Sequence, residues 1–217
     1  NDIMEKKRHS KLQEVKYLNV LNAIRKEDLT ETKSILQKHR YLIELIDKKG
    51  RSLLHYCAEN SSALIAEYLL SVFPNLLFIQ DNEGHTALHL SVISGNHHLT
   101  KYLALKSDIN YINNCDNEGH TAVHWAVVCG ELECLNILIE LGANASTPDI
   151  HGAYPSHYAA QMCNPNSGIC IGDNVTIGLI ILKTLIQSQN VNVNCVDNDK
   201  RTPLLWAVSA GKQTLLF

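Results

Sequence analysis

The string DNEGHTAVH, Asp116 to His124, decides the fold, because DNEGHTALH stands at Asp81 to His89 with a single conservative change. More altered copies flank the pair: DKKGRSLLH from Asp47, DIHGAYPSH from Asp149 and DNDKRTPLL from Asp197. The fourth position of each copy is Gly50, Gly84, Gly119, Gly152 and finally Lys200, in steps of 34, 35, 33 and 48 residues. A period near 33 marks an array of small helical units, each packing only on its neighbours.

The punctuation around the strings agrees. Ser52, Thr86, Thr121 and Thr202 stand where a helix N-cap is wanted. Gly95, Gly130 and Gly211 close a short helix, and a longer helix follows. The expected helices cover 53–60 and 62–73, 86–94 and 98–106, 121–130 and 132–141, 155–162 and 175–187, then 202–210. Tyr154 replaces the capping Thr in the fourth copy. Residues 163–174, CNPNSGICIGDN, read as a Pro/Gly/Asn loop that accounts for most of the 48-residue step. Ahead of the first string, Leu12, Val15, Leu18, Leu21 and Ile24 fall three apart and mark a helix face, with a second helix from Leu29 to Lys38. That pair lacks the string and reads as a capping unit over 12–46, preceded by a flexible basic terminus, 1–11. The units then run 47–80, 81–115, 116–148, 149–196 and 197–217. The last is incomplete: Leu215, Leu216 and Phe217 would lie uncovered, as in a fragment of a longer protein.

GHTALHLSVISGN (Gly84 to Asn96), GHTAVHWAVVCGELECLNILIELGAN (Gly119 to Asn144) and RTPLLWAVSAG (Arg201 to Gly211) closely resemble the ankyrin repeat. The resemblance covers 12–217 and departs from the pattern at Ser52, Tyr154, Lys200, Leu205 and the 163–174 insertion. It implies an all-α solenoid of about six units with short β-hairpin fingers, the inner helices lining a concave groove. It also implies that His55, His89, His124 and His157 bridge backbone groups of adjacent turns.

Charge narrows the function. Residues 1–46 carry ten Lys/Arg against seven Asp/Glu, whereas 81–173 carry ten acids against Lys101 and Lys106. An acidic middle argues against nucleic acid, which needs phosphate neutralisation, and favours a basic protein partner. No apolar run approaches a membrane span of about 20 residues. Seven cysteines without a C-x-x-C pair read as reduced thiols, which points to the cytoplasm, with the nucleus or cytoskeleton as further sites. His85/His89 and His120/His124 have zinc-like H-x-x-x-H spacing, but the capping threonine between each pair separates a finger from a helix. Cys163 and Cys170 lack a basic neighbour to activate them. No catalytic set, metal site or cofactor is expected.

One column stands out. The residue after the histidine position is Tyr56, Leu90, Trp125, Tyr158 and Trp206, beside small residues such as Ala58, Val92, Ala126 and Ala159. Small residues suit the packing face, so the large column is expected to face the groove, where Trp and Tyr make binding hot spots. Finger tips Glu83, His85, Glu118, His120, His151 and Arg201 are expected to rim it. The resulting expectation is a non-enzymatic adaptor, monomeric in isolation, that holds a basic, apolar peptide segment. The alternative is a targeting or regulatory segment of a larger enzyme or ion channel.

Overall fold

The computed structural model describes the backbone of residues 2–163, 176–188 and 191–213, and the side chains of 12–163, 176–188 and 191–210. The helices pair along the chain as α1 (Asp2–Arg25) with α2 (Leu29–Lys38), and α3 (Leu53–Glu59) with α4 (Ala63–Val72). Next come α5 (Ala87–Ile93) with α6 (His97–Lys106), the single turn α7 (Ile109–Ile112), and α8 (Ala122–Val128) with α9 (Leu132–Glu140). Then α10 (Pro155–Gln161) pairs with α11 (Ile177–Ser188), and α12 (Pro203–Gln213) follows. The inner row stacks α1, α3, α5, α8, α10 and α12 in order; in the outer row α2 packs on α4, α6 on α9 and α9 on α11. The stack is a helical repeat solenoid.

The small slots do what their size requires. Ala58, Val92, Ala126 and Ala159 are all fully buried, letting successive inner helices approach closely, while Leu69, Leu103 and Leu138 fill the layer behind them. In α12 the same face stays open: Leu204, Leu205 and Val208 are exposed.

Several elements differ from the sequence-based expectation. Helix α1 begins at Asp2, so residues 2–11, expected as a flexible terminus, are helical. Its apolar residues do not share one face: Leu12, Val15 and Leu18 are about half exposed, and burial falls on Val20, Leu21, Ala23 and Ile24. A three-residue step turns an α-helix through 300°, so the stripe drifts by roughly 60° per step and leaves the core face. Past the expected helix 62–73, Pro74 opens a 3₁₀ turn over Pro74–Phe78. Helix α12 continues through Gly211 to Gln213. Residues 164–175, most of the expected insertion, and 214–217 lie outside the described residues.

The β-hairpin fingers are tight turns. Among the described residues there is no named strand, and Cys115 and Thr121 form an isolated bridge. In the second finger the Asp81 N–H donates to the His85 carbonyl and the Gly84 N–H to the Asp81 carbonyl, both at 2.9 Å. The N–H groups of Glu83 and His85 donate to the Asp81 side chain instead of a strand, so nothing remains for a ladder. One backbone bond links each finger to the next, as from Asn82 N–H to the Lys49 carbonyl (2.8 Å) and from Asn117 N–H to that of Glu83 (3.0 Å).

That close approach explains the glycines. Gly119 has φ +80°, and a Cβ there would stand 2.8 Å from the Ile150 backbone nitrogen on the next finger. Lys200 takes the same left-handed turn at φ 62°, but no sixth finger stands against it among the described residues. Gly119→Ala should therefore destabilise the fold by about 2 kcal/mol or more, and Lys200→Gly should change it by less than about 1 kcal/mol. Equal shifts in the urea midpoints of the two variants would contradict this account.

Candidate partner-binding face

Four of the five fingers are fastened to their own inner helix by the carboxylate at the finger's root. Oδ1 of Asp116 accepts the N–H groups of Glu118 (2.9 Å) and His120 (2.8 Å), while Oδ2 accepts the Trp125 indole N–H at 2.9 Å. The pattern repeats at nine-residue spacing. The Tyr56 hydroxyl donates to Asp47, the Tyr158 hydroxyl to Asp149 at 2.6 Å, and the Trp206 indole to Asp197 at 2.9 Å. Leu90 offers no donor, and there Asp81 Oδ2 takes the Nε–H of Arg51 from the preceding finger at 3.4 Å.

Each repeat is fastened to the next by a buried imidazole. Nδ1 of His55, His89, His124 and His157 accepts the N–H of the residue three before it, each at 3.1 Å. A backbone N–H can only donate, so Nδ1 carries the lone pair and Nε2 the proton. Nε2 then donates to the carbonyl of His85 (3.0 Å), His120 (3.2 Å), Ala153 (3.4 Å) and Arg201 (2.9 Å) on the following finger. At Tyr154 the backbone donor survives the loss of the capping hydroxyl, and the phenol stacks on His157.

The aromatic column is accordingly half scaffold. Tyr56, Trp125, Tyr158 and Trp206 are partly buried and keep one polar atom bonded inward. Leu90, expected in the groove, is only 6% exposed. The leucine side chain has no hydrogen-bonding tip to hold it at the finger, so it packs into the apolar cluster. The rings nonetheless form a continuous row: His85 and His120 flank Trp125 at 5.5 Å between centroids, His120 meets Tyr158 at 5.9 Å, and Tyr158 meets Trp206 at 5.3 Å.

The rim divides in the same way. Glu83 and Glu118 carry exposed side chains, and His151 reaches out beside Glu118. His85, expected at an exposed tip, is 7% exposed. His120 is partly buried and donates from Nε2 toward the Tyr158 hydroxyl at 3.3 Å. Arg201 is engaged within its own finger, with Nε 2.8 Å from Asp197, a second nitrogen 2.9 Å from Asp199 and its guanidinium over Trp206. Asp81 and Asp116, which contribute to the acidic surplus of the middle repeats, are buried. The anchoring role of the aspartates is visible in the sequence as an Asp nine residues before a Tyr or Trp in four of the five copies.

Among the described residues, no group of three His, Cys, Asp or Glu side chains is arranged to hold a metal ion, and no helix is long and apolar enough to cross a membrane. Burial pushes the Cys57 and Cys134 thiols up, away from the nucleophilic thiolate. Burial would raise the Asp197 carboxyl, but the Arg201 N–H, the Trp206 indole and the Arg201 guanidinium hold it at about 2. Asp47, Asp81 and Asp116 also titrate below the usual carboxylate range, burial being outweighed by their hydrogen bonds.

Burial lowers the buried imidazoles, His89 and His124 to about 4, with His55 moving the same way. Between their ordinary value of 6.5 and about 4, the unfolded chain takes up protons that the folded chain refuses. Stability should be full above pH 6.5 and fall across that window, by several kcal/mol in total. The lowered aspartates add a further loss below about pH 4 in the same direction. Urea midpoints read from pH 8 to pH 4 check this, and His124→Gln should flatten the slope between pH 6.5 and 4. A midpoint that holds steady down to pH 4.5 would count against the buried-imidazole account.

A family model described as ankyrin repeats in three copies matches residues 70–149 and 105–175. A relative from Saccharomyces cerevisiae, target of rapamycin complex 2 subunit AVO2, is 31% identical over 141 residues, which is 64% of this chain and 33% of that protein. The chain thus spans about a third of the length of this curated relative. The matched region holds the second to fourth fingers, each with its carboxylate anchor and buried imidazole. Across residues 70–175 the chain belongs to the ankyrin-repeat family.

Proposed function

We propose that this chain is a non-enzymatic recognition module acting in the cytoplasm, whose ring-lined face holds a segment of another protein. The segment combines Lys or Arg with an apolar anchor. The anchor lies on Trp125 and Tyr158, and Glu83 and Glu118 steer the basic residues. The observation that carries this reading is the row of partly exposed rings Trp125, His120, Tyr158 and Trp206 beside the two exposed glutamates. Aromatic rings held rigidly in place supply contact area without ordering cost on binding. The second, third and fourth fingers, DNEGHTALH, DNEGHTAVH and DIHGAYPSH, contribute no Lys or Arg. The yeast relative is described as a subunit of a complex, which supports recognition inside a multiprotein assembly.

A displayed random-peptide library selected on the immobilised protein tests the reading. Enriched peptides should pair a basic residue with a bulky apolar one. Trp125→Ala with Tyr158→Ala should weaken them at least tenfold, about 1.4 kcal/mol or more. Those substitutions also remove anchors to Asp116 and Asp149, so Glu83→Lys with Glu118→Lys gives an independent arm that leaves the core untouched. Enriched peptides that are acidic, or indifferent to both double variants, would sink the proposal.

A further inference from the structure

Between the second and third fingers lies a pocket of about 350 Å³, at the small end of the range for ligand sites. Trp125 forms its floor, with His85, His120, Asp116, Glu83 and Glu118 around it. Its hydrogen-bonding inventory is one-sided. His85 is 7% exposed, yet neither of its ring nitrogens has a hydrogen-bond partner. Nδ1 stands 3.5 Å from carboxylate oxygens of Asp81 and of Glu83, and Nε2 stands 3.5 Å from Asp116. His120 Nδ1 is also without a hydrogen bond and stands 3.5 Å from Asp116. A neutral imidazole has one N–H and one lone pair, so each ring here turns acceptor density toward a carboxylate.

The donors nearby are committed. The Trp125 indole N–H is bonded to Asp116. The Asn82 and Asn117 amides donate to carbonyls of the preceding finger at 2.9 Å each. No Lys or Arg lines the pocket. What remains is a nine-tenths-buried imidazole and carboxylates on two fingers, facing one small space in which acceptor oxygens far outnumber the single imidazole N–H. The complementary group carries positive charge, several N–H donors and no acceptor, and is flat enough to lie against ring edges. A guanidinium has five such donors in one plane, whereas an ammonium is a compact point charge that cannot reach acceptors on both fingers at once.

We propose that this pocket binds the guanidinium of an arginine side chain on the partner segment. The proposal deepens the groove reading above by naming the side chain and its seat. It rests on that reading only for the source of the arginine.

The test uses the whole chain and Nα-acetyl-arginine methylamide as probe, followed by the NMR signal of the Trp125 indole N–H. The shift should saturate. The citrulline analogue, of the same shape but neutral, should bind at least tenfold more weakly, and the lysine analogue several-fold more weakly. Glu83→Gln with Glu118→Gln changes exposed side chains only and should weaken the arginine probe at least tenfold without moving the thermal midpoint. His85→Phe keeps a ring, removes both nitrogens and should weaken it at least fivefold. An unsaturable shift, equal binding of the citrulline analogue, or lysine binding as tightly as arginine overturns the proposal. Library peptides that still depend on Trp125 and Tyr158 while the arginine probe does not bind overturn the pocket and leave the groove standing. Saturable arginine binding in a protein whose library peptides ignore those two rings supports the pocket and overturns the groove.

Discussion

The buried carboxylate at the root of each finger is the constraint on which the rest depends. Desolvating an ion is costly unless charge-assisted bonds replace its water. Here Oδ1 takes the turn's own N–H groups and Oδ2 takes a donor from the inner helix nine residues on, as Asp116 does with Glu118, His120 and Trp125. The turn and the helix are thereby held to one another within a repeat. The imidazole makes the second connection, from the cap of one inner helix to the backbone of the next finger. Carboxylate within the repeat and imidazole between repeats account for a stack whose fingers stand without a β-ladder.

Trp125 and Tyr158 anchor their fingers through one polar atom and keep their rings partly exposed. A residue fixed by its own hydrogen bond has little freedom left to lose, so the structural bond also preorganises these rings for the proposed contact. Leu90 marks the exception: without a polar tip it sinks into the core, and Arg51 from the preceding finger takes over the carboxylate.

The acidic surplus of the middle repeats is of two kinds. Asp81, Asp116 and Asp149 are buried and engaged by the scaffold. Glu83 and Glu118 stand in solvent at the finger tips. A sum over the sequence counts both alike, although only the second kind is free to steer a ligand.

Much of this was legible in the sequence. The 33-residue period, the Thr caps and the Gly stops locate the helices, because local backbone preferences need nothing beyond neighbouring residues. The histidine column followed from resemblance, and the aromatic column from its register beside small residues. Other features required three dimensions. The three-apart apolar residues of α1 share no face, since rotation about the helix axis carries Leu12 and Leu18 away from the core that receives Ile24. The fingers lack strands because side-chain carboxylates intercept the N–H groups that a ladder would use. By itself the sequence determined the repeat, its caps and its large and small slots, all properties of local chain order. Only the tertiary structure decided which acids are buried and where His85 meets two fingers at once, because these are set by neighbours 30 or more residues away along the chain.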